Sequence, residues 1–179
     1  MSHRPLDRET MLEAFAALDR ILETPTRLIV GGGAAMLLAH GHPLSTHDVD
    51  TFAARGGLSP GEIGVAARTV AKDLGIAPDW LNEHFASFAH VLPPDYGARL
   101  VPIFHGERLT AEALGAEDLL VMKCFSGRDK DRPHLRRLMR IARDLDIVDR
   151  RLRELADKRV PGTERAADIF DDLSDEVGR

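Results

Sequence analysis

The chain has few cysteines, few aromatic residues and no long apolar run. It contains 179 residues, with one cysteine, one tryptophan and one tyrosine. The single cysteine, Cys124, excludes an intramolecular disulfide and predicts a reducing, cytoplasmic location. Residues 1–9 are polar and lack the apolar segment of a signal peptide. No apolar run is long enough to cross a bilayer, so we expect no membrane contact.

An excess of basic residues is also absent. Lysine and arginine number 24 against 29 acidic residues, and the formal net charge is −5 at pH 7. This charge argues against general binding to nucleic acid, so contact with RNA would require a local basic patch. The length allows one domain with a substantial core and a helical extension.

The most informative stretch of the chain is Arg27–Phe52. Leu28–Val30 is a short aliphatic run of the kind found in covered strands. It is followed by Gly31–Gly33 and then by Ala34–Ala39, which continues as an apolar helix. Glycines let the backbone approach a ligand closely, and the start of a helix favours an anion. This stretch therefore predicts a turn that binds phosphate.

Asp48 and Asp50 lie on the strand predicted after that helix. Residues two apart in a strand share a face, so both carboxylates should project together while Val49 enters the core. Two like charges so close repel each other unless a cation lies between them. Mg²⁺ or Mn²⁺, held by the carboxylates and by the phosphates of an NTP, is the expected partner. The alternative is a pair of turn or capping aspartates without a metal.

Helical spacing and turn residues predict the other elements. Arg8–Glu23 is an amphipathic helix, and Ser59 with Glu62 forms a capping box for a helix that Gly75 ends. A short helix is predicted to begin at Asp79. An edge strand is predicted at Arg99–Phe104, and further helices are predicted to start near Ala116 and to span Arg132–Leu145, Asp149–Lys158 and Thr163–Val177.

Two motifs resemble those of a known superfamily. Gly-Gly-Gly-Ala-Ala followed by Thr46-His47-Asp48-Val49-Asp50 resembles the signature of the polymerase-β-like nucleotidyltransferases. More narrowly, the chain is similar to small bacterial nucleotidyltransferase-like proteins of toxin–antitoxin and abortive-infection systems. The downstream stretch Lys123-Cys-Phe-Ser-Gly-Arg128-Asp-Lys-Asp131 resembles the helix–loop element of the same family.

The resemblance implies an α/β fold and a set of site residues. A small mixed β-sheet core flanked by helices is expected at residues 1–110, and a mostly helical part at residues 111–179. Lys123 would contact phosphates, Arg128 would support phosphate or the incoming substrate, and Asp131 would act as a base or orienting group. The full implied set comprises the catalytic residues Asp48, Asp50, Lys123 and Asp131, the nucleotide-binding residues Gly31, Gly32, Gly33, Thr46 and Arg128, and the metal ligands Asp48 and Asp50.

The function implied is metal-dependent transfer of a nucleotide from an NTP to a macromolecular acceptor. The acceptor would be tRNA or a partner protein, in a toxin–antitoxin or phage-defence system. Four arginines, Arg132, Arg136, Arg140 and Arg143, recur at helical spacing and could bind an RNA backbone. They could equally form a solvated face paired with acids. The acidic helix Thr163–Val177 could pack on its own domain, bind a partner or cover these arginines.

A missing strand carboxylate, Leu44 and the acidic C-terminal helix support an alternative function, and the chain departs from the superfamily pattern in three places. The stretch Arg99–His105 lacks the third carboxylate that commonly comes from such a strand. Leu44-Ser45 stands where an arginine is common, and His134 stands where a second acid often follows Asp131. The alternative is a non-catalytic nucleotidyltransferase-like module that acts through a cognate toxin or antitoxin protein.

Overall fold

The computed structural model describes residues 3–42, 46–53 and 57–178. It confirms the predicted α/β class: a five-stranded mixed sheet flanked by helices and followed by a mostly helical C-terminal part. The strands are β1 (Thr26–Val30), β2 (Val49–Ala53), β3 (Leu81–Asn82), β4 (Val101–His105) and β5 (Leu109–Ala113). The α-helices are α1 (Arg8–Ile21), α2 (Gly32–Leu38), α3 (Pro60–Leu74), α4 (Ala116–Ser126), α5 (Arg132–Ile141), α6 (Asp146–Asp157) and α7 (Thr163–Val177).

The chain divides into two compact units. The first comprises Met1–Ser87 and Val101–Ala113 and contains the sheet with α1, α2 and α3. The second comprises Phe88–Leu100 and Leu114–Arg179 and contains α4 to α7. The division into a core at residues 1–110 and a helical part at residues 111–179 stays a prediction.

The sheet of the first unit has the strand order β3-β2-β1-β5-β4. β1 is central, antiparallel to β2 and parallel to β5, which explains why Leu28, Ile29 and Val30 are all buried. β4 is an edge strand, as predicted from Pro102, because proline cannot donate a ladder hydrogen bond. β5 was not predicted from the sequence.

Local capping signals place the helices of the first unit. The Asp7 side chain accepts a hydrogen bond from the Thr10 N–H at 2.8 Å and starts α1. Ser59 and Glu62 form the predicted capping box of α3, and Gly75 ends that helix in the left-handed conformation at φ 68°. The capping box and the end of α3 at Gly75 are thus confirmed as the sequence predicts.

The prediction of a short helix beginning at Asp79 is wrong. Residues 81 and 82 instead form β3, parallel to β2, and a 3-10 helix spans His84–Val91. Trp80 is fully buried, and its indole N–H donates to the Ala67 carbonyl at 2.9 Å. The Trp80 carbonyl accepts from the Val49 N–H at 2.6 Å. These contacts with distant residues hold the segment extended beside β2.

In the second unit, α4 is buried over most of its surface and packs against α5, α6 and α7. The acidic helix predicted at Thr163–Val177 is confirmed as α7, and it packs on its own chain against these helices. The helix predicted at Arg132–Leu145 is shorter, because Glu117 accepts the backbone N–H groups of Arg143 and Asp144 at 2.7 and 3.2 Å just after α5 ends. Among the described residues, no helix is both long and apolar enough to span a membrane.

Candidate functional site

Three potential metal ligands converge in the first unit. One ligand atom from each of Asp48, Asp50 and His84 lies within 4.8 Å of the other two. Asp48 immediately precedes β2 and Asp50 lies within it, while Val49 between them is fully buried. The alternation of a strand therefore projects both carboxylates to one side, as the sequence predicts. His84 opens the 3-10 helix that follows β3.

Asn82 connects two of these groups. Its side-chain amide donates to Asp48 Oδ2 at 3.1 Å, and its side-chain carbonyl accepts from the His84 backbone N–H at 3.0 Å. The register also places Asn82 opposite Asp50 in the parallel pair of β3 with β2. The Thr51 hydroxyl donates to the Asn82 backbone carbonyl at 3.2 Å. This short strand therefore brings His84 to the aspartates.

The glycine turn lies directly against these side chains. Gly32 has a φ of 58°, and a Cβ at this position would overlap the Asp50 carboxylate. A Cβ on Gly31 would overlap the Phe85 ring, and one on Gly33 would lie 2.9 Å from Thr46 Oγ1. The Gly31 N–H also donates to the Asp50 backbone carbonyl at 2.9 Å. The glycines therefore allow the turn to approach protein side chains closely, Asp50 above all.

The three groups could hold a divalent cation. Two carboxylates and an imidazole suit a divalent metal, and carboxylate is the ligand that Mg²⁺ and Mn²⁺ share. Asp48 and Asp50 are half-buried and His84 is exposed, so a substrate can reach the cluster from solvent. The cluster fits the metal expected from the sequence.

His84 and Asn82 were not identified from the sequence. Their position depends on the pairing of β3 with β2, and a strand of two residues carries no periodicity to detect. The superfamily resemblance places a third carboxylate on the predicted edge strand. That strand, β4, lies at the opposite edge of the sheet from β3, with β1 and β5 between it and β2. On β5 itself, the Glu112 carboxylate forms an ion pair with Arg27.

The second group of predicted residues lies in the second unit. Lys123 Nζ is 3.0 Å from Asp131 Oδ1, and both side chains are buried. His134 Nδ1 also lies 3.3 Å from Asp131 Oδ1. Burial raises the pKa of Asp131, but hydrogen bonds from His134 and Lys123 and the Lys123 charge outweigh it and hold that pKa far below its ordinary value. The predicted lysine and aspartate therefore form a buried ion pair with each other.

Arg128 is exposed and lines a small cleft of about 140 Å³ in the second unit. Arg132 and Arg165 line the same cleft, and the Arg165 guanidinium donates to the Gly127 carbonyl at 2.7 Å. Asp129 and Gly127 also line the cleft, together with three apolar side chains, Leu135, Ile169 and Leu173. The charged lining therefore consists of three arginines and one aspartate, and its net charge is positive.

The predicted arginine face is partly neutralised. Arg132 and Arg136 both bind Glu176 of α7, at 3.0 and 2.8 Å. Arg140 and Arg143 are exposed on the same part of the chain. The interpretation of this face as arginines paired with acids therefore holds for the first two, while the other two present exposed positive charge.

The structure thus places the predicted residues in two groups, each within one unit. The first contains Asp48, Asp50, Thr46 and the glycine turn, where the Thr46 N–H donates to the Leu6 carbonyl at 3.3 Å. The second contains Lys123, Asp131 and Arg128. The catalytic and binding roles of both groups stay predictions. Leu44 and Ser45 lie outside the described residues.

Comparison with known proteins gave one finding on family. The model of a protein family described as "Nucleotidyltransferase of unknown function (DUF6036)" matches residues 9–169. The match covers both groups of predicted site residues. Comparisons with the curated proteins and with the solved structures gave no match.

Proposed function

The chain belongs to DUF6036, a family of nucleotidyltransferases of unknown function, and from this premise we propose that it transfers a nucleotide from an NTP to a macromolecular acceptor. The observation that carries the proposal is the convergence of Asp48, Asp50 and His84 within 4.8 Å, directly against the glycine turn. Paired carboxylates beside a turn of this kind are suited to binding a metal–triphosphate complex.

In this proposal Asp48 and Asp50 hold Mg²⁺ or Mn²⁺. The bound metal would neutralise triphosphate charge and favour ionisation of the attacking hydroxyl. In the reaction, the acceptor oxygen bonds to the α-phosphorus, the bond from that phosphorus to its bridging oxygen breaks, and pyrophosphate leaves. The chain contributes the fixed carboxylates, held in register by β2 and by Asn82. The turn from Gly31 to Gly33 contributes backbone that can lie close to Asp50 because its glycines have no side chains.

Lys123, Arg128 and Asp131 enter the proposal through the resemblance of the second motif. Their proposed roles are binding of nucleotide phosphate by the two cations and orientation of a polar group by the aspartate. In the structure Lys123 and Asp131 neutralise each other, whereas Arg128 is exposed at the cleft it shares with Arg132. Arg128 is therefore the cation of this group that is ready to bind a phosphate.

The proposed setting is a toxin–antitoxin or phage-defence system, and the proposed acceptor is tRNA or a partner protein. Both come from the resemblance of the motifs. Support for tRNA is local, because Arg140 and Arg143 present exposed positive charge on a chain whose net charge is negative. A cognate protein partner, toxin or antitoxin, is the other proposed acceptor.

The proposal is tested by label transfer. The chain is incubated with each α-labelled NTP, Mg²⁺ or Mn²⁺ and total tRNA, with and without the product of the neighbouring gene. We expect label on an acceptor with the wild-type chain and none with Asp48→Ala. Asp73→Ala is the matched control, since Asp73 is an exposed aspartate of α3. Transfer that survives in Asp48→Ala at the wild-type rate would overturn the proposal.

A second function is favoured by the buried ion pair of Lys123 with Asp131, which neutralises two of the groups predicted to act in catalysis. It is a non-catalytic nucleotidyltransferase-like module that acts by binding a cognate protein. No label transfer under any of these conditions, together with a stable complex that Asp48→Ala leaves intact, is the outcome that identifies it.

A further inference from the structure

We propose that His84 is the third protein ligand of the metal at Asp48 and Asp50, and that its imidazole makes the site prefer Mn²⁺ to Mg²⁺. This inference rests on the proposed function, because it assumes that the two aspartates hold a divalent cation. It adds a ligand from outside the Asp-x-Asp motif and states which of the two metals this ligand favours.

The geometry of the first unit leads to His84. One of its ring nitrogens lies within 4.8 Å of one carboxylate oxygen of each aspartate, close enough for one ion to contact all three residues. Among the described residues of β4 there is no carboxylate that could serve instead. On β5, the Glu112 carboxylate is held by Arg27. The imidazole is thus the group that supplies a third protein ligand to the pair.

Asn82 acts as a positioning residue for this ligand set. Its side-chain amide donates a hydrogen bond to Asp48 Oδ2 at 3.1 Å, and its side-chain carbonyl accepts one from the His84 backbone N–H at 3.0 Å. Its own backbone is held by the Thr51 hydroxyl, and Thr51 is buried. The amide therefore links one carboxylate ligand to the segment that carries the imidazole. Losing a hydrogen bond of this kind to a metal ligand typically lowers metal affinity about 10- to 100-fold.

The ligand chemistry then sets the metal preference. Mg²⁺ binds oxygen ligands in a strict octahedron and gives up its water reluctantly, whereas an imidazole nitrogen suits transition metals. Replacing a third carboxylate by a neutral imidazole removes one negative charge from the site, and this weakens binding of a hard cation most. A set of two carboxylates and one imidazole therefore favours Mn²⁺.

The test is pulsed EPR on the full chain loaded with Mn²⁺ alone, combined with titration calorimetry of Mn²⁺ and of Mg²⁺. A histidine ligand couples its ¹⁴N nucleus to the bound Mn²⁺, and we expect this coupling in the wild-type chain. His84→Gln should abolish the coupling and weaken Mn²⁺ binding about 10-fold or more, with a smaller effect on Mg²⁺. The matched control is His47→Gln, because His47 is exposed and adjacent to Asp48 in sequence.

Asn82→Ala tests the positioning role with the same measurements. We expect Mn²⁺ affinity to fall about 10-fold, with the preference for Mn²⁺ over Mg²⁺ reduced. If Asn82 had only a structural role, Asn82→Ala would be less stable to urea but would keep the wild-type ratio of Mn²⁺ affinity to Mg²⁺ affinity. A wild-type ratio in Asn82→Ala would therefore overturn the positioning role.

The outcomes separate this inference from the proposed function. Saturable Mn²⁺ binding that Asp48→Ala abolishes, but without ¹⁴N coupling or with coupling unchanged in His84→Gln, overturns the inference and leaves the proposed function standing. Mn²⁺ binding that is equal in the wild-type chain and in Asp48→Ala overturns the metal site itself, and with it the proposed function.

Discussion

Lys123 Nζ lies 3.0 Å from Asp131 Oδ1, and this ion pair is buried in the second unit. Removing one partner of a buried pair leaves the other charge without compensation, which typically costs about 3–5 kcal/mol. We therefore expect Lys123→Met and Asp131→Asn each to lower the free energy of unfolding by an amount in this range. Urea unfolding of the full chain measures the effect.

The double variant is the control for this pair. With both charges gone, Lys123→Met/Asp131→Asn should unfold with a free energy closer to wild type than the sum of the two single effects predicts. Additive losses would contradict the ion pair. The cycle also guards against a misinterpretation, since loss of activity in Lys123→Met alone would not show that Lys123 binds phosphate.

Stability should fall in acid, and Asp131 should be one cause. Its pKa is held below the ordinary value of 3.8 in the folded chain, despite burial, by His134 and Lys123. The unfolded chain then binds more protons than the folded chain in acid, so the stabilisation is full above the ordinary pKa and is lost as pH falls toward the folded pKa. Between about pH 5 and about pH 3, the free energy of unfolding in urea should fall less for Asp131→Asn than for wild type. Equal losses would contradict the depressed pKa.

Gly32→Ala should damage the metal site. The left-handed φ of 58° costs a side chain about 1–2 kcal/mol, and the new Cβ would overlap the Asp50 carboxylate. We expect both a lower free energy of unfolding and weaker Mn²⁺ binding by calorimetry. Gly61→Ala is the control, because nothing lies within 4 Å of the Cβ it would add. Its binding and stability should match or slightly exceed those of wild type.

If tRNA is the acceptor, as proposed, Glu176→Gln should strengthen its binding. Glu176 holds both Arg132 and Arg136, so neutralising it frees two guanidinium groups to contact phosphates. We expect the affinity for tRNA at low salt to rise several-fold. The slope of log affinity against log salt concentration should also steepen by about 1 to 2, the value for one or two added phosphate contacts. Asp175→Asn removes the same charge from an exposed neighbour. If the two variants raise the affinity equally, the effect comes from net charge and not from the release of Arg132 and Arg136.

Local signals in the sequence predicted much of the fold. The apolar run of Leu28–Val30 identified a covered strand, and the capping box of Ser59 and Glu62 identified the start of α3. The bounds of α7 were also predicted, because its apolar spacing is continuous from Thr163 to Val177. Each of these features depends on residues within a few positions of one another.

Features that depend on distant residues were missed. β3 has two residues and exists because it pairs with β2, about thirty positions earlier in the chain. The proximity of His84 to Asp48 and Asp50 follows from that register, so no spacing in the sequence reveals it. The sequence left open whether the acidic helix covers the arginines, because the pairing of Glu176 with Arg132 and Arg136 depends on how α7 packs against α5. The two carboxylates of the candidate site were predicted, but its histidine and the amide that positions it were not.

The most direct test of the central claim compares α-labelled with γ-labelled NTP in the transfer assay. The account predicts that the acceptor retains the α label only, with one pyrophosphate released for each nucleotide added, and that Asp48→Ala and Asp50→Ala abolish both. Retention of the γ label on the acceptor, or transfer by these variants at the wild-type rate, would contradict it.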